Sequence, residues 1–255
     1  MVAGFLRKAG MGVFYAFPFG KSFKNLGWKI YKYKDERLHA VDAKKLFQNW
    51  LGVGRPSSSH GWSDDLRSEF LSSREEDLLP MLFRELFYTG FIKEQMKKPV
   101  SDPYDIDGFL LSYGGAVLPL EIKEKFPASG PTFSFFGIDA GRLLMLLRLC
   151  LPNDSNAVYL IREVREKDRT FVGWKFMLLS EIIATASWNL QRGGKGMGGQ
   201  ETQIIRLPYS HFRFFDASFL DEKNMETIKS LPDEMKKLAV EFGKSLEKEY
   251  GGASK

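Results

Sequence analysis

Two periods alternate along this chain, and the switches between them mark its elements. Apolar residues at a period of two predict strands. "FYAFPFGKSFKNLGWKIYKYK" reads as a strand pair, and "NAVYLIREV" and "GWKFMLLS" as two further strands. "DIDGFLLSY" and "AVLPLEIKEK" flank Gly114-Gly115, a hairpin signal. Helical spacing runs through "ERLHAVDAKKLFQNWLG" to a stop at Gly52. It returns in "SSREEDLLPMLFRELFYTG", which opens on a Ser73-x-x-Glu76 capping box, ends at Gly90 and is kinked or restarted at Pro80. "GIDAGRLLMLLRLCLP" predicts an apolar helix capped by Asp139. A C-terminal amphipathic helix starts at Pro232, with Met235, Leu238, Phe242 and Leu246 on one face. "FIKEQMKKPV" reads as a strand, "EIIATASWNLQ" as a short helix, "RGGKGMGGQ" as a loop and "TQIIRLPYSHFRFF" as extended.

Helix, strands, helix, strands is the order of a mixed α/β fold, with one mixed central sheet flanked by helices. The Gly, Pro and Ser of "VGRPSSSHGWSDD" place a boundary near residue 55. Residues 1–55 then form a basic aromatic region, and residues 56–255 an α/β domain that includes the C-terminal helix.

Composition narrows the class. With 44% hydrophobic and 27% charged residues the chain has ordinary globular content. No uncharged apolar run reaches the roughly 18 residues of a membrane span. The N-terminal "MVAGFLRKAGMGVFYAFPFG" lacks the long leucine-rich centre and small-residue cleavage site of a secretion signal, so a cytoplasmic protein is expected. The single Cys150, in an apolar helix, allows neither a disulfide framework nor a thiolate metal site.

Charge distribution adds a partner class. The net charge is +5, yet Arg7, Lys8, Lys21, Lys24, Lys29, Lys32 and Lys34 precede the first acidic residue. Such a block suits a polyanion, and its interleaved aromatics are either stacking surfaces for bases or simply core. In "WKIYKYK" the lysines fall on both faces. The glycine-rich loop, which lacks the spacing of a phosphate-cradling P-loop, is either simply flexible or a DNA contact through Arg192 and Lys195, and Arg206 and Arg213 are candidate phosphate contacts. His39, His60 and His211 show no metal-ligand spacing, and Ser57 to Ser59 no nucleophile elbow.

The sharpest chemistry lies in the central hairpin. Asp105 and Asp107 share one strand face, and Glu121 and Lys123 share another, each at the edge of an apolar run. A hairpin about Gly114-Gly115 brings Asp107 roughly level with Glu121 or Ile122. Two adjacent carboxylates repel, and a divalent cation with a taste for hard oxygen, Mg²⁺ or Mn²⁺, relieves the conflict. Lys123 beside it would orient a water or stabilise charge on a phosphate.

Asp107, thirteen intervening residues, then Glu121-Ile122-Lys123 resembles the signature of the PD-(D/E)xK nuclease superfamily. The resemblance covers residues 70 to 165 and is similar in style to Holliday-junction resolvases and restriction endonucleases. It implies a restriction-endonuclease-like α-β-β-β-α-β core and a Mg²⁺-dependent (or Mn²⁺-dependent) DNA endonuclease acting as a homodimer, without a membrane. Asp107 and Glu121 become metal ligands and Lys123 the catalytic lysine. Glu76 is the choice for a further ligand from the first helix, with Glu75 and Glu85 as rivals. Isoleucine stands where the superfamily usually has proline before its aspartate, and Arg142 stands where the following helix often offers Gln or Lys. A nucleic-acid binder without catalysis and an RNA-cleaving enzyme on the same core are the alternatives.

Overall fold

The fold was analysed in a computed structural model that describes residues 1–21, 26–48, 68, 72–98, 106–185, 191–195 and 201–250. The chain forms two compact units, residues 10–103 and residues 1–9 with 104–255. The boundary expected near residue 55 lies outside the described residues.

In the smaller unit, strands β1 (Phe14–Phe19), β2 (Gly27–Lys34) and β3 (Arg37–Val41) form an antiparallel sheet in that order. The segment 37–41 is therefore strand, not the start of a helix. It is folded back by a two-residue turn in which Asp35 (φ 51°) and Glu36 (φ 58°) adopt the left-handed conformation a tight hairpin requires. Among the described residues of this segment, helix spans Ala43–Phe47, where the Asp42 carboxylate accepts the Lys44 N–H at 2.8 Å, and the stop expected at Gly52 lies outside the described residues. One sheet face supplies Trp28 and Ile30 to a core with Phe47, Phe91 and Ile92.

The helix Glu75–Glu85 has Arg74 at its N-terminus and no side-chain cap, so the expected Ser73–Glu76 box is not formed. It passes through Pro80 and, instead of stopping at Gly90, winds on as a π-helical stretch from Leu86 to Gln95. Residues 91–95 are thus helical, not a strand. Burial explains the continuation: Phe87, Phe91 and Ile92 all face the sheet core.

The larger unit is mixed α/β, with a short N-terminal helix, Val2–Lys8. Its main sheet has five strands in the order β12 (Arg213–Phe214), β9 (Phe171–Leu178), β8 (Val158–Val164), β5 (Val117–Lys125) and β4 (Gly108–Leu111). Only the β5–β8 pair is parallel, so the sheet is mixed. A second sheet contains β10 (Gln191–Lys195), β11 (Glu201–Pro208), β7 (Ser134–Asp139) and β6 (Ala128–Ser129). Among the described residues the larger unit thus holds two sheets where one central sheet is expected, besides the three-stranded sheet of the smaller unit. The glycine-rich segment 191–195, expected as loop, is a strand bulged between Arg192 and Lys195.

Burial sorts the two faces of the main sheet. Leu118, Val158, Leu160, Phe176 and Leu178 form a core closed by Phe219 and Met225. On the opposite face stand Glu121, Tyr159 and Met177, level with one another by register. The crossover between β5 and β8 carries the helix Ala140–Cys150, whose Leu143, Leu146 and Leu149 are fully buried. Asp139 precedes it without a side-chain cap bond. The last helix, Asp233–Tyr250, buries Ala239 and Phe242, while Leu238 is exposed. Among the described residues no helix is long and apolar enough to cross a membrane.

Candidate active site

The hairpin forms at Gly114-Gly115. Ser112 closes it, its hydroxyl accepting the Ala116 N–H at 2.9 Å, with Gly115 at φ +90°. Gly108 lies opposite Leu120, so Asp107, one step before β4, comes level with Glu121. The pleat sends Glu121, Lys123 and Lys125 to one face and Leu120 and Ile122 to the other. Ile122 packs against the main core. Its backbone N–H donates to Asp107 Oδ2 at 2.7 Å, which fixes that carboxylate at the strand edge.

Lys123 bridges the two acids: its Nζ lies 2.6 Å from Glu121 Oε1 and 3.6 Å from Asp107 Oδ2. Arg142, from the crossover helix, brings Nε to 3.1 Å from the same Glu121 oxygen. Glu121 is fully buried, whereas Lys123 and Asp107 keep partial access to solvent. Both cations therefore lie against Oε1. Among the described residues Glu121 Oε2 has no hydrogen-bond partner. Burial pushes the Glu121 carboxyl above its ordinary range, against the opposing pull of Lys123 and Arg142, and the Asp107 charge adds to the rise.

Beside Glu121 the sheet continues into a polar, buried strip. Tyr159 lies level with Glu121 on β8, and its hydroxyl donates to the Gly137 carbonyl at 2.8 Å. Lys125 donates to the same carbonyl. Burial lowers the affinity of Lys125 for its proton and raises that of the Tyr159 hydroxyl, the latter helped by the charges of Glu121 and Asp139. Further along, Lys175 lies 3.8 Å from Glu163, which accepts the Tyr209 hydroxyl at 3.0 Å. Sequence reasoning missed Lys125 and Tyr159. Lys125 has the parity of Glu121 and Lys123, a signal that was present; the parallel register that brings in Tyr159 has no local signature.

The other residues singled out from sequence belong to other elements of the chain. Glu76 belongs to the smaller unit, exposed and paired with Arg74 at 2.8 Å. Glu75 is exposed on the same helix, and the Glu85 side chain lies outside the described ones. Lys21 is exposed, while Lys29 and Lys32 project from opposite faces of β2. Lys24 and Asp105, and the side chains of Arg192 and Lys195, lie outside the described residues. Arg213 is paired with Glu181 at 2.7 Å, and the Arg206 guanidinium lies 4.7 Å from the Phe135 ring centre.

The donor set suits a hard divalent cation. Two carboxylates stand level across the hairpin, and Oε2 of the buried one has no hydrogen-bond partner among the described residues. Among the described residues no group of three or more His, Cys, Asp or Glu side chains converges. Mg²⁺ commonly uses one or two carboxylates and completes its shell with waters and substrate phosphate oxygens, so two suffice. Comparison with family models, curated proteins and solved structures returns no significant match. The chemistry rests on the site itself.

Proposed function

We propose that this chain is a Mg²⁺-dependent (or Mn²⁺-dependent) endonuclease of the PD-(D/E)xK type that hydrolyses phosphodiester bonds of DNA, restriction-type or junction-resolving, acting as a homodimer. One observation carries the reading: Asp107 and Glu121 stand level on paired strands with the Lys123 ammonium between them. The order β4, β5, the two-residue β6, β7, helix, β8, with β8 parallel to β5, supports it. It departs from a single-sheet core in that β7 pairs within the second sheet.

In the reaction a water oxygen bonds to phosphorus, the bond from phosphorus to the sugar oxygen breaks, and that oxygen takes up a proton as the water loses one. Asp107 and Glu121 would hold the metal, which supplies Lewis acidity toward the scissile phosphate. The chain's own residues prepare the ground. Arg142 and Lys123 favour the ionised form of buried Glu121, and the Ile122 N–H holds Asp107 in place. Lys123, part exposed, is positioned to meet the charge that develops on a phosphate oxygen. Lysines of the N-terminal region, with Arg192 and Lys195, would hold the DNA backbone.

A second reading, a nucleic-acid binder without catalysis, is favoured by the contacts that Glu121 already makes to Lys123 and Arg142, an ion cluster that also serves a purely structural role. Cleavage of a labelled linear duplex, a four-way junction and a single-stranded RNA, each with Mg²⁺ and with EDTA, separates them. Mg²⁺-dependent cutting of DNA that falls at least about a hundredfold in Lys123→Ala is expected. Cutting of RNA alone would move the activity to the other substrate. No cutting with binding intact would leave the binder.

A further inference from the structure

The three-stranded sheet of the smaller unit shows aromatic rings on the face that does not form its core. Register puts Tyr15, Phe17 and Phe19 of β1, Tyr31 and Tyr33 of β2 and Leu38 of β3 on one side. Tyr15, Phe17, Phe19 and Leu38 are exposed, Phe19 to 51%. The opposite side carries Trp28 and Ile30, and these are the residues that pack. A sheet with one buried face ordinarily puts polar side chains on the other. An exposed apolar face of this kind marks a binding surface.

The rings are already arranged. Tyr15 and Phe17 lie 6.2 Å apart between centroids and only 22° from coplanar. Tyr33 meets Tyr15 edge-on at 6.3 Å, and Tyr31 meets Phe17 at 5.6 Å. Phe19 lies over Gly27, so close that a Cβ there would stand 2.5 Å from the ring. A ligand therefore meets rings that cross-strand contacts already hold.

Charge selects the occupant. Lys29 rises from the same face, opposite Phe17, with its ammonium 5.4 Å from the Phe19 ring centre. Lysine is depleted from the centre of protein interfaces, where its charge must be desolvated. It is well placed beneath a phosphate. Residues 10–48 carry eight Lys and Arg against three acidic residues. Aromatic rings that accept bases, with cations along the backbone, are the requirement for an unpaired nucleic-acid strand.

We infer that this face binds single-stranded DNA, with bases on Tyr15, Phe17 and Phe19 and a phosphate on Lys29. The choice of DNA over RNA rests on the nuclease reading above; the stacking surface does not. A duplex keeps its bases paired and cannot present them to the rings, so the unpaired strand is preferred.

The test is fluorescence anisotropy of the full chain in EDTA, which removes cleavage from the readout. The probes are a twenty-nucleotide oligothymidylate, its ribo-counterpart and a duplex of equal length. The oligothymidylate is expected to bind tightest, and Phe17→Ala and Phe19→Ala each to weaken it about fivefold or more while leaving duplex binding little changed. Lys29→Ala is expected to weaken it and flatten its salt dependence. All three positions are exposed, and circular dichroism with Phe214→Ala, an exposed ring in the other unit, controls for general damage. Equal losses for strand and duplex, or no loss, would overturn the proposal. So would tighter binding of the ribo-oligomer, or a wild-type dimer in sedimentation that Phe17→Ala disperses. Because binding is read without Mg²⁺, a chain that binds the strand but cuts nothing sinks the nuclease reading alone.

Discussion

The Asp107 carboxylate accepts the backbone N–H of Ile122 at 2.7 Å, while the Ile122 side chain packs on the far side of the sheet. One residue thus holds a candidate ligand with its backbone and the core with its side chain. Asp107→Ala leaves that N–H without its acceptor and is expected to cost about 1–3 kcal/mol in urea unfolding. Asp107→Asn keeps an acceptor of the same shape. It is expected to retain nearly all stability while losing Mg²⁺-dependent cleavage, and equal losses of stability in the two variants would sink this assignment.

Glu121 gives a pH prediction. Its folded-state affinity for a proton is raised by burial, so the fold is favoured by the neutral acid. That contribution is fully present below the ordinary value of 4.5 and is lost as pH rises through the higher folded value. In EDTA the wild type is expected to lose stability relative to Glu121→Gln as the pH rises above about 4.5. Mg²⁺ at neutral pH is expected to raise the melting temperature of the wild type and not of the variant. A pH-independent difference, or an equal response to Mg²⁺, would count against the site.

The Gly137 carbonyl takes hydrogen bonds from both Tyr159 and Lys125. Removing one donor leaves the other. Tyr159→Phe is therefore expected to cost only about 0.5–1.5 kcal/mol, and Lys125→Met in the Tyr159→Phe background more than in the wild type. Urea titrations of the two single variants and the double variant supply the cycle; strict additivity would show that the donors act independently.

Cys150 is fully buried, and burial pushes its thiol well above the ordinary range. The folded protein is expected to resist an aromatic disulfide reagent and to release one equivalent on unfolding, as read by absorbance. Rapid reaction of the native chain would show that the helix Ala140–Cys150 opens readily.

Much of the site was legible because it is local. A period of two puts Glu121 and Lys123 on one face, and a glycine turn sets the register that makes Asp107 level with Glu121. Arg142 was visible as a charge in an apolar helix, but its contact with Glu121 depends on how the crossover packs. Lys125 was hidden among the charges of a strand end, although its parity was plain. Tyr159 arrives through a parallel pairing that no neighbouring residue announces. In two places composition hides conformation. Asp35-Glu36 makes a hairpin turn without glycine or asparagine, and Gln191–Lys195 pairs as a strand despite its glycines. The mixed α/β class was readable from element order; the division into three sheets was not, because it depends on which strand β11 chooses.

The parallel pairing of β5 with β8 also sets an order of assembly. Asp107 and Glu121 are joined by a short hairpin, whereas Glu121 and Tyr159 meet only when the whole crossover has closed. Closing the longer loop costs about 1 kcal/mol more in chain entropy and brings contacts of higher sequence separation, which form more slowly. The two carboxylates and Lys123 share one hairpin, whereas Arg142 and Tyr159 reach Glu121 only through the crossover. The pairing of the candidate ligands is then a property of the hairpin, and the burial of Glu121 a property of the finished sheet.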